Sequence, residues 1–207
     1  MISIYLIRHG ETIWNKSGKY QGSTDVPLND LGLDQAKRAG DYLSDVPFTA
    51  VYASNLCRAK ITAETIASVH GLLVQTYEGL QELHFGEWEG LTFDEIDARW
   101  PGEILKMYEH PDLVRIAGGE TFLQLQQRAM ATFSEIVANH EDGDTIALVC
   151  HGATNRMILC ALLDIPIDRA WLLRQENTAV NLIWYQGLGK RNWLALLNST
   201  IHLKGKY

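Results

Sequence analysis

Cysteine is scarce in this chain: Cys57, Cys150 and Cys160 are the only three among 207 residues. An odd number without a C-x-x-C pair excludes a disulfide framework and a zinc knuckle, and points to reduced thiols in a cytoplasmic protein. No apolar run approaches the roughly 18 residues that a membrane span requires. The opening Met1-Ile-Ser-Ile-Tyr-Leu-Ile has neither the basic flank nor the small-residue cleavage site of a signal peptide, and it reads as a buried strand. Positive charge is also in short supply. Eighteen Lys and Arg stand against 25 Asp and Glu, for a formal charge of −7. Bulk attraction to nucleic acid or to an anionic membrane is therefore excluded, so any anion must be held by a local cluster of cations. Internal repeats and low-complexity tracts are absent.

Composition is otherwise that of a folded enzyme-sized chain, with 46% hydrophobic and 21% charged residues. The length fits a single domain spanning residues 1–207, with room for a modest insertion. Short apolar runs alternate with helical patterns, which predicts βαβ units and a largely parallel sheet. Strands are expected at Ile2–Ile7, Ala50–Ala53, Leu73–Tyr77 and Thr145–Cys150. A helix capped by Asn29 presents Leu33, Ala36, Ala39 and Leu43 inward, and a second begins near Arg58. A long helix runs from Glu120 to about Asn139, and Ile158–Leu163 lies in another. Ala179–Tyr185 and Trp193–Leu197, around Gly187-Leu-Gly189, read as a hairpin at the sheet edge. That hairpin permits a homodimer without demanding one. Residues 78–118, rich in Gly, Glu and Trp and broken at Pro101 and Pro111, read as an inserted, partly exposed cap.

Three polar spots directly follow apolar strands: Arg8-His9-Gly10, Ser54 with Arg58, and His151-Gly152. Ligands of open α/β sheets bind outside the carboxyl ends of the strands, so these groups should converge, with helix N-termini adding N–H donors. The implied ligand is an anion, phosphate above all. Each His is followed by Gly, which lets the chain turn sharply. Isolated histidines such as His70, His110, His140 and His202 lie outside this strand–His–Gly context and read as structural. A metal site is disfavoured, since there is no H-E-x-x-H or His-x-His and the arginines would repel a cation. A neutral histidine beside two arginines can instead attack phosphorus and form a phosphohistidine, while the arginines stabilise the transition-state charge. The leaving alkoxide then needs a proton, and Glu82, Glu87 and Glu89 are the candidate donors.

Several spaced motifs, in one order along nearly the whole chain, resemble the histidine phosphatase superfamily. They are Leu6-Ile-Arg8-His9-Gly10-Glu11-Thr12-x-Trp14-Asn15, Gln21-Gly22, Pro27-Leu28-x-x-x-Gly32-x-x-Gln35-Ala36, Ser54-x-Leu56-x-Arg58-Ala59-x-x-Thr62-Ala63, Glu82-Leu-x-Phe85-Gly86-x-Trp88-Glu89-Gly90, Gly119-Glu120 and Val149-x-His151-Gly152. The resemblance implies a three-layer α/β/α sandwich with a mixed, mainly parallel sheet and the small inserted cap. It makes His9 the nucleophile and Glu82, rather than Glu87 or Glu89, the proton donor and acceptor. It places Arg8, Arg58 and His151 around the phosphate, with Asn15, Gln21, Gly22 and Gly152 as phosphate or substrate contacts. It implies a metal-independent phosphomonoester hydrolase of small phosphorylated metabolites, with no cofactor. The superfamily also holds phosphoglycerate mutases, with a longer insertion before the second histidine and a tail that shields phosphohistidine from water. Glu82 and His151 are only 69 positions apart and the chain ends soon after the hairpin, which favours hydrolysis. Gln175-Glu-Asn177-Thr178-Ala-Val-Asn181 is faintly similar to the α-ribazole-5′-phosphate phosphatases of cobalamin synthesis. A non-catalytic phospho-ligand binding module is the reading from another class, but such a module has no use for a proton donor. Specificity is expected from Trp14, Tyr20, His84 and the cap around residues 104–115.

Overall fold

A computed structural model describes residues 1–204. Its sheet has six strands: β1 (Ile2–Arg8), β2 (Ala50–Ser54), β3 (Val74–Tyr77), β4 (Thr145–Cys150), β5 (Val180–Tyr185) and β6 (Trp193–Ser199), in the spatial order β3-β2-β4-β1-β5-β6. The pairs β2/β3, β2/β4 and β1/β4 are parallel, whereas β5 and β6 run antiparallel at one edge. The helices are α1 (Ile13–Lys16), α2 (Asp30–Leu43), α3 (Cys57–Ser68), α4 (Phe93–Arg99), α5 (Glu103–Glu109), α6 (Phe122–Val137) and α7 (Gly152–Leu162).

The period-2 alternation of the strands sorts their side chains into two cores. Ile4, Leu6, Ile146 and Leu148 face one way and pack with α6 and α7 through residues such as Leu125, Phe133 and Met157. Ile7, Val51, Ala147 and Val149 face the other way and pack with α2 and α3 through Ala39, Leu43, Ala63 and Ile66. The result is the three-layer α/β/α sandwich with a mixed, mainly parallel sheet and an antiparallel edge hairpin. None of the helices among the described residues is long and apolar enough to cross a membrane, and all three cysteines are free thiols.

Two details depart from the sequence reading. Leu33 is not inward: it is 48% exposed, and the buried face of α2 is made of Gly32, Gln35, Ala36, Ala39, Gly40 and Leu43. Leu33 sits one position from that stripe, and the small residues Ala36, Ala39 and Gly40, rather than the large one, let α3 approach closely. Leu73 is 91% exposed, so β3 starts one residue later. Residues 78–118, partly exposed, also contribute Leu80, Leu83, Trp88, Ile96, Ile104 and Met107 to the larger core. Asn29 caps α2 as expected, its side chain accepting from the Gly32 N–H.

Candidate active site

The carboxyl ends of β1 and β4 lie side by side, Arg8 opposite Cys150, so the residues after them meet. His9 and His151 are both buried, with ring centroids 5.1 Å apart. Arg58, in the first turn of α3 after β2, is fully buried beside them. Gly10 has an ordinary negative φ, contrary to the sharp turn expected there. It is required instead by close packing, because a Cβ would lie 2.5 Å from the Gly32 carbonyl oxygen.

Hydrogen bonds assign the protons of both rings. His9 Nδ1 lies 2.7 Å from the Gly10 carbonyl oxygen, which can only accept, so Nδ1 carries the proton and Nε2 the lone pair. For His151 the roles reverse. Its Nδ1 accepts from Arg58 Nε at 3.3 Å, so the ring proton is on Nε2, a buried atom with no partner. Burial, then the Arg58 and Arg8 charges, hold the His9 pKa well below its usual value. His151 is held down in the same sense by burial, Arg58, His9 and Arg8. Both rings are therefore neutral near pH 7.

Each neighbouring group is fastened to backbone. Arg58 donates from Nη2 to the Gly22 carbonyl (2.7 Å) and from Nη1 to that of Thr24 (2.8 Å), and Arg8 Nη1 donates to the Gln175 carbonyl (2.7 Å). Glu82 occupies the N-terminus of α7, where its Oε1 accepts from the N–H groups of Ala153 and Thr154, both at 3.1 Å. The loop carrying Glu82 is fixed from behind by Arg128, which donates to the Gly79, Gln81 and Glu82 carbonyls while paired with Glu120. The Asn15 Oδ1 accepts from Thr12 N–H (3.1 Å) and the Gln21 Oε1 from the Thr12 hydroxyl (2.8 Å), and neither amide NH₂ has an acceptor among the described residues.

These groups surround a cavity of about 440 Å³. Arg8, His9, Asn15, Gln21, Gly22, Arg58, Glu82 and Gly152 all line it; the fully buried His151 does not, although its ring lies 5.1 Å from that of His9. Of the three glutamates weighed as donors, only Glu82 lines this cavity. Glu87 is exposed, and Glu89 is structural: it accepts from the N–H groups of Ser23 (2.9 Å), Thr24 (3.0 Å) and Phe85 (3.1 Å) and so holds the 22–24 loop. Of the residues expected to set specificity, Tyr20 and Tyr108 line the cavity and share a hydroxyl–hydroxyl hydrogen bond of 2.6 Å. His84 instead borders a neighbouring cavity. The sequence reading missed Arg156, Trp171, Phe93 and Lys19, which complete the mouth. Arg156 follows His151 on α7, and its position one turn beyond Gly152 was the signal that could have found it. Among the described residues, no three His, Cys, Asp or Glu side chains are grouped to hold a metal.

An α/β/α sandwich with two neutral histidines and a knot of arginines at the strand ends offers cationic donors for an anionic group beside an unprotonated ring nitrogen. The chain belongs to the histidine phosphatase superfamily: the model for branch 1 of that superfamily matches residues 4–199. It is 30% identical to phosphoserine phosphatase 1 of Hydrogenobacter thermophilus over 203 residues, covering 98% of this chain and 95% of that one. It is 31% identical to a probable phosphoglycerate mutase of Yersinia pestis, covering 94% and 89%. Among solved structures, Bacillus stearothermophilus YhfR is similar at 33% identity and a TM-score of 0.91, covering 99% of this chain and all of that one.

Proposed function

We propose that this protein is a phosphomonoester hydrolase of small phosphorylated metabolites, with His9 as nucleophile and residues 78–118 as the cap that shapes its mouth. The observation that carries the reading is the tautomer of His9: a buried neutral ring, locked through Nδ1, with its Nε2 lone pair free beside two guanidiniums. In the first step Nε2 forms a bond to phosphorus as the ester P–O bond breaks. Arg8, Arg58 and the Nε2–H of His151 take up the charge on the non-bridging oxygens, with the NH₂ groups of Asn15 and Gln21 as further donors. The departing oxygen takes the proton of the Glu82 carboxyl group. In the second step the Glu82 carboxylate removes a proton from water, whose oxygen bonds to phosphorus as the P–N bond breaks and phosphate leaves. Water can reach the phosphohistidine because the exposed Gly18 and Tyr108 lie at the rim of the cavity.

Rapid mixing with a ³²P-labelled ester and an alkaline quench is expected to trap label on His9. His9→Ala should lose roughly 10,000-fold or more in turnover of p-nitrophenyl phosphate. Hydrolysis at the wild-type rate by that variant overturns the mechanism. Incubation with 3-phosphoglycerate should release inorganic phosphate; accumulation of 2-phosphoglycerate in its place would make the protein a mutase.

A further inference from the structure

Glu82 differs from the other groups of the site in where it stands. Arg8, His9, Arg58 and His151 lie at a strand end or in the first turn of a helix, whereas Glu82 belongs to residues 81–85, which have no regular secondary structure. On its far side lies a second cavity of about 550 Å³, and of the described residues Glu82 alone lines both. The group that must meet the departing oxygen thus stands in a thin wall with open space on each side. A proton donor in such a wall needs backing, because a displacement of about 1 Å costs on the order of 100-fold in rate.

Arg128, on α6, lines the second cavity and supplies that backing. Its Nη1 donates to the carbonyls of Gly79 (2.9 Å) and Gln81 (3.1 Å), and its Nη2 to that of Glu82 (3.2 Å). Its Nε and Nη2 also donate to the two carboxylate oxygens of Glu120, at 3.0 and 2.7 Å. These bonds use the full donor capacity of a guanidinium. Glu120 grips the segment further along, its own N–H donating to the His84 carbonyl at 2.8 Å. Glu82 is therefore held at both ends: its carbonyl by Arg128, and its carboxylate by the N–H groups of Ala153 and Thr154. A lysine could not replace this planar fork, since it offers a point charge on a flexible stem.

Resting on the phosphatase reading above, we infer that Arg128, oriented by Glu120, is a positioning residue for proton transfer: it holds the Glu82 backbone so that the carboxyl group meets the ester oxygen. Arg128 touches neither the phosphoryl group nor the leaving group. Its contribution is felt only when the departing oxygen needs the proton of Glu82, as the P–O bond breaks.

A matched pair of esters tests this. Phenyl phosphate and p-nitrophenyl phosphate differ only in the nitro group, which stabilises the departing phenolate and lessens its need for a proton. The quantity to read is kcat/KM, which reports the step that breaks the ester bond. Arg128→Met should lose about 10- to 100-fold on phenyl phosphate and less than about threefold on p-nitrophenyl phosphate. Equal losses on the two esters, or no loss on either, overturn the assignment. A double-mutant cycle asks whether Arg128 works through Glu82: in a Glu82→Gln background, Arg128→Met should cost less than about threefold on phenyl phosphate. Losses that multiply refute it. Should Arg128→Met not fold, Arg128→Lys decides, because it keeps the charge without the fork. The ratio of phenyl to p-nitrophenyl phosphate hydrolysis must then fall by about fivefold or more, and an unchanged ratio refutes the assignment. If the wild type fails to hydrolyse p-nitrophenyl phosphate, the phosphatase reading itself fails, and this assignment with it.

Discussion

At the floor of the cavity, His9, Arg8 and Arg58 leave a strand end or the first turn of a helix and Glu82 leaves the loop after β3, and each is tied to backbone: His9 to Gly10, Arg58 to Gly22 and Thr24, Arg8 to Gln175, Glu82 to the N–H groups of Ala153 and Thr154. At the mouth, Tyr20 and Tyr108 share a hydroxyl pair and Arg156 stacks on Trp171; Arg156 (on α7) and Trp171 have one backbone bond each, and all but Arg156 sit on a loop or a short helix. A floor locked to the sheet holds reacting atoms in place, which is where most of a rate enhancement resides. A mouth held by side chains on short elements can change residue by residue without disturbing the floor. Chemistry is thereby fixed and substrate choice left adjustable. The comparison predicts that floor substitutions act on kcat, to an extent set by the leaving group where the proton donor is changed, whereas mouth substitutions alter KM with some esters.

Glu82→Gln is expected to be the sharpest floor change that keeps shape. Glutamine still accepts from the α7 N–H groups but has no carboxyl proton. Turnover of alkyl esters should fall by about 100- to 10,000-fold, while p-nitrophenyl phosphate, whose leaving group needs no proton, should fall far less. A uniform loss across leaving groups would remove Glu82 from the proton path. Gly22→Ala should follow. The residue has φ +55°, and a Cβ there would lie 2.0 Å from Glu89 Oε1, so either the loop whose carbonyls hold Arg58 shifts or the Glu89 carboxylate that anchors that loop is displaced. A displacement of about 1 Å costs on the order of 100-fold in kcat/KM. An unchanged kcat/KM, with the melting temperature also unchanged, would show that Arg58 does not depend on this loop.

The floor was legible in the sequence because its residues sit where apolar runs stop: Arg8-His9 after Ile7, His151 after Cys150, Arg58 just past Ser54. The parallel layer arrangement then brings such ends together. Glu82, unlike Glu87 and Glu89, was singled out by resemblance to a family motif and not by any local pattern, because three glutamates within eight positions are equivalent to a period-based reading. The mouth was mostly illegible. Trp171 and Phe93 stand in no motif, and Arg156 is marked only by its spacing of one turn from Gly152. Their meeting depends on how α7, the 3₁₀ turn at Ile167–Leu172 and the segment around Tyr108 pack, which no local sequence pattern encodes. The Leu33 error has a related cause: hydrophobic periodicity ranks large residues first, but the α2–α3 contact is made by small ones.

A third test separates floor from mouth by pH, since both buried histidines of the site belong to the floor. The unfolded chain takes up a proton at each of these histidines as pH falls through about 6.5, whereas the folded protein, with both pKa values held well below that, does not. The unfolded state therefore binds more protons, and stability falls as pH drops below about 6.5, by up to about 1.4 kcal/mol per pH unit for each ring. His202, held near 4 chiefly by burial, adds to the same slope from outside the site. Calorimetry from pH 7 to pH 5 should show a steady decline in melting temperature, with a shallower slope for His9→Gln. An identical slope in that variant would mean that His9 is protonated in the folded protein.

The smallest effect expected lies at the mouth. Tyr108→Phe removes one hydroxyl of the Tyr20–Tyr108 pair but keeps the ring 4.7 Å from Trp171, so the aromatic wall stays in place. The lost hydrogen bond is partly exposed and neutral, worth about 1 kcal/mol at most, so KM should rise by roughly fivefold or less. Because nothing at the floor touches this hydroxyl, kcat for p-nitrophenyl phosphate should stay at the wild-type value. A large drop in kcat would mean that the two ends of the cavity are mechanically coupled, and the division between a fixed floor and an adjustable mouth would have to be abandoned.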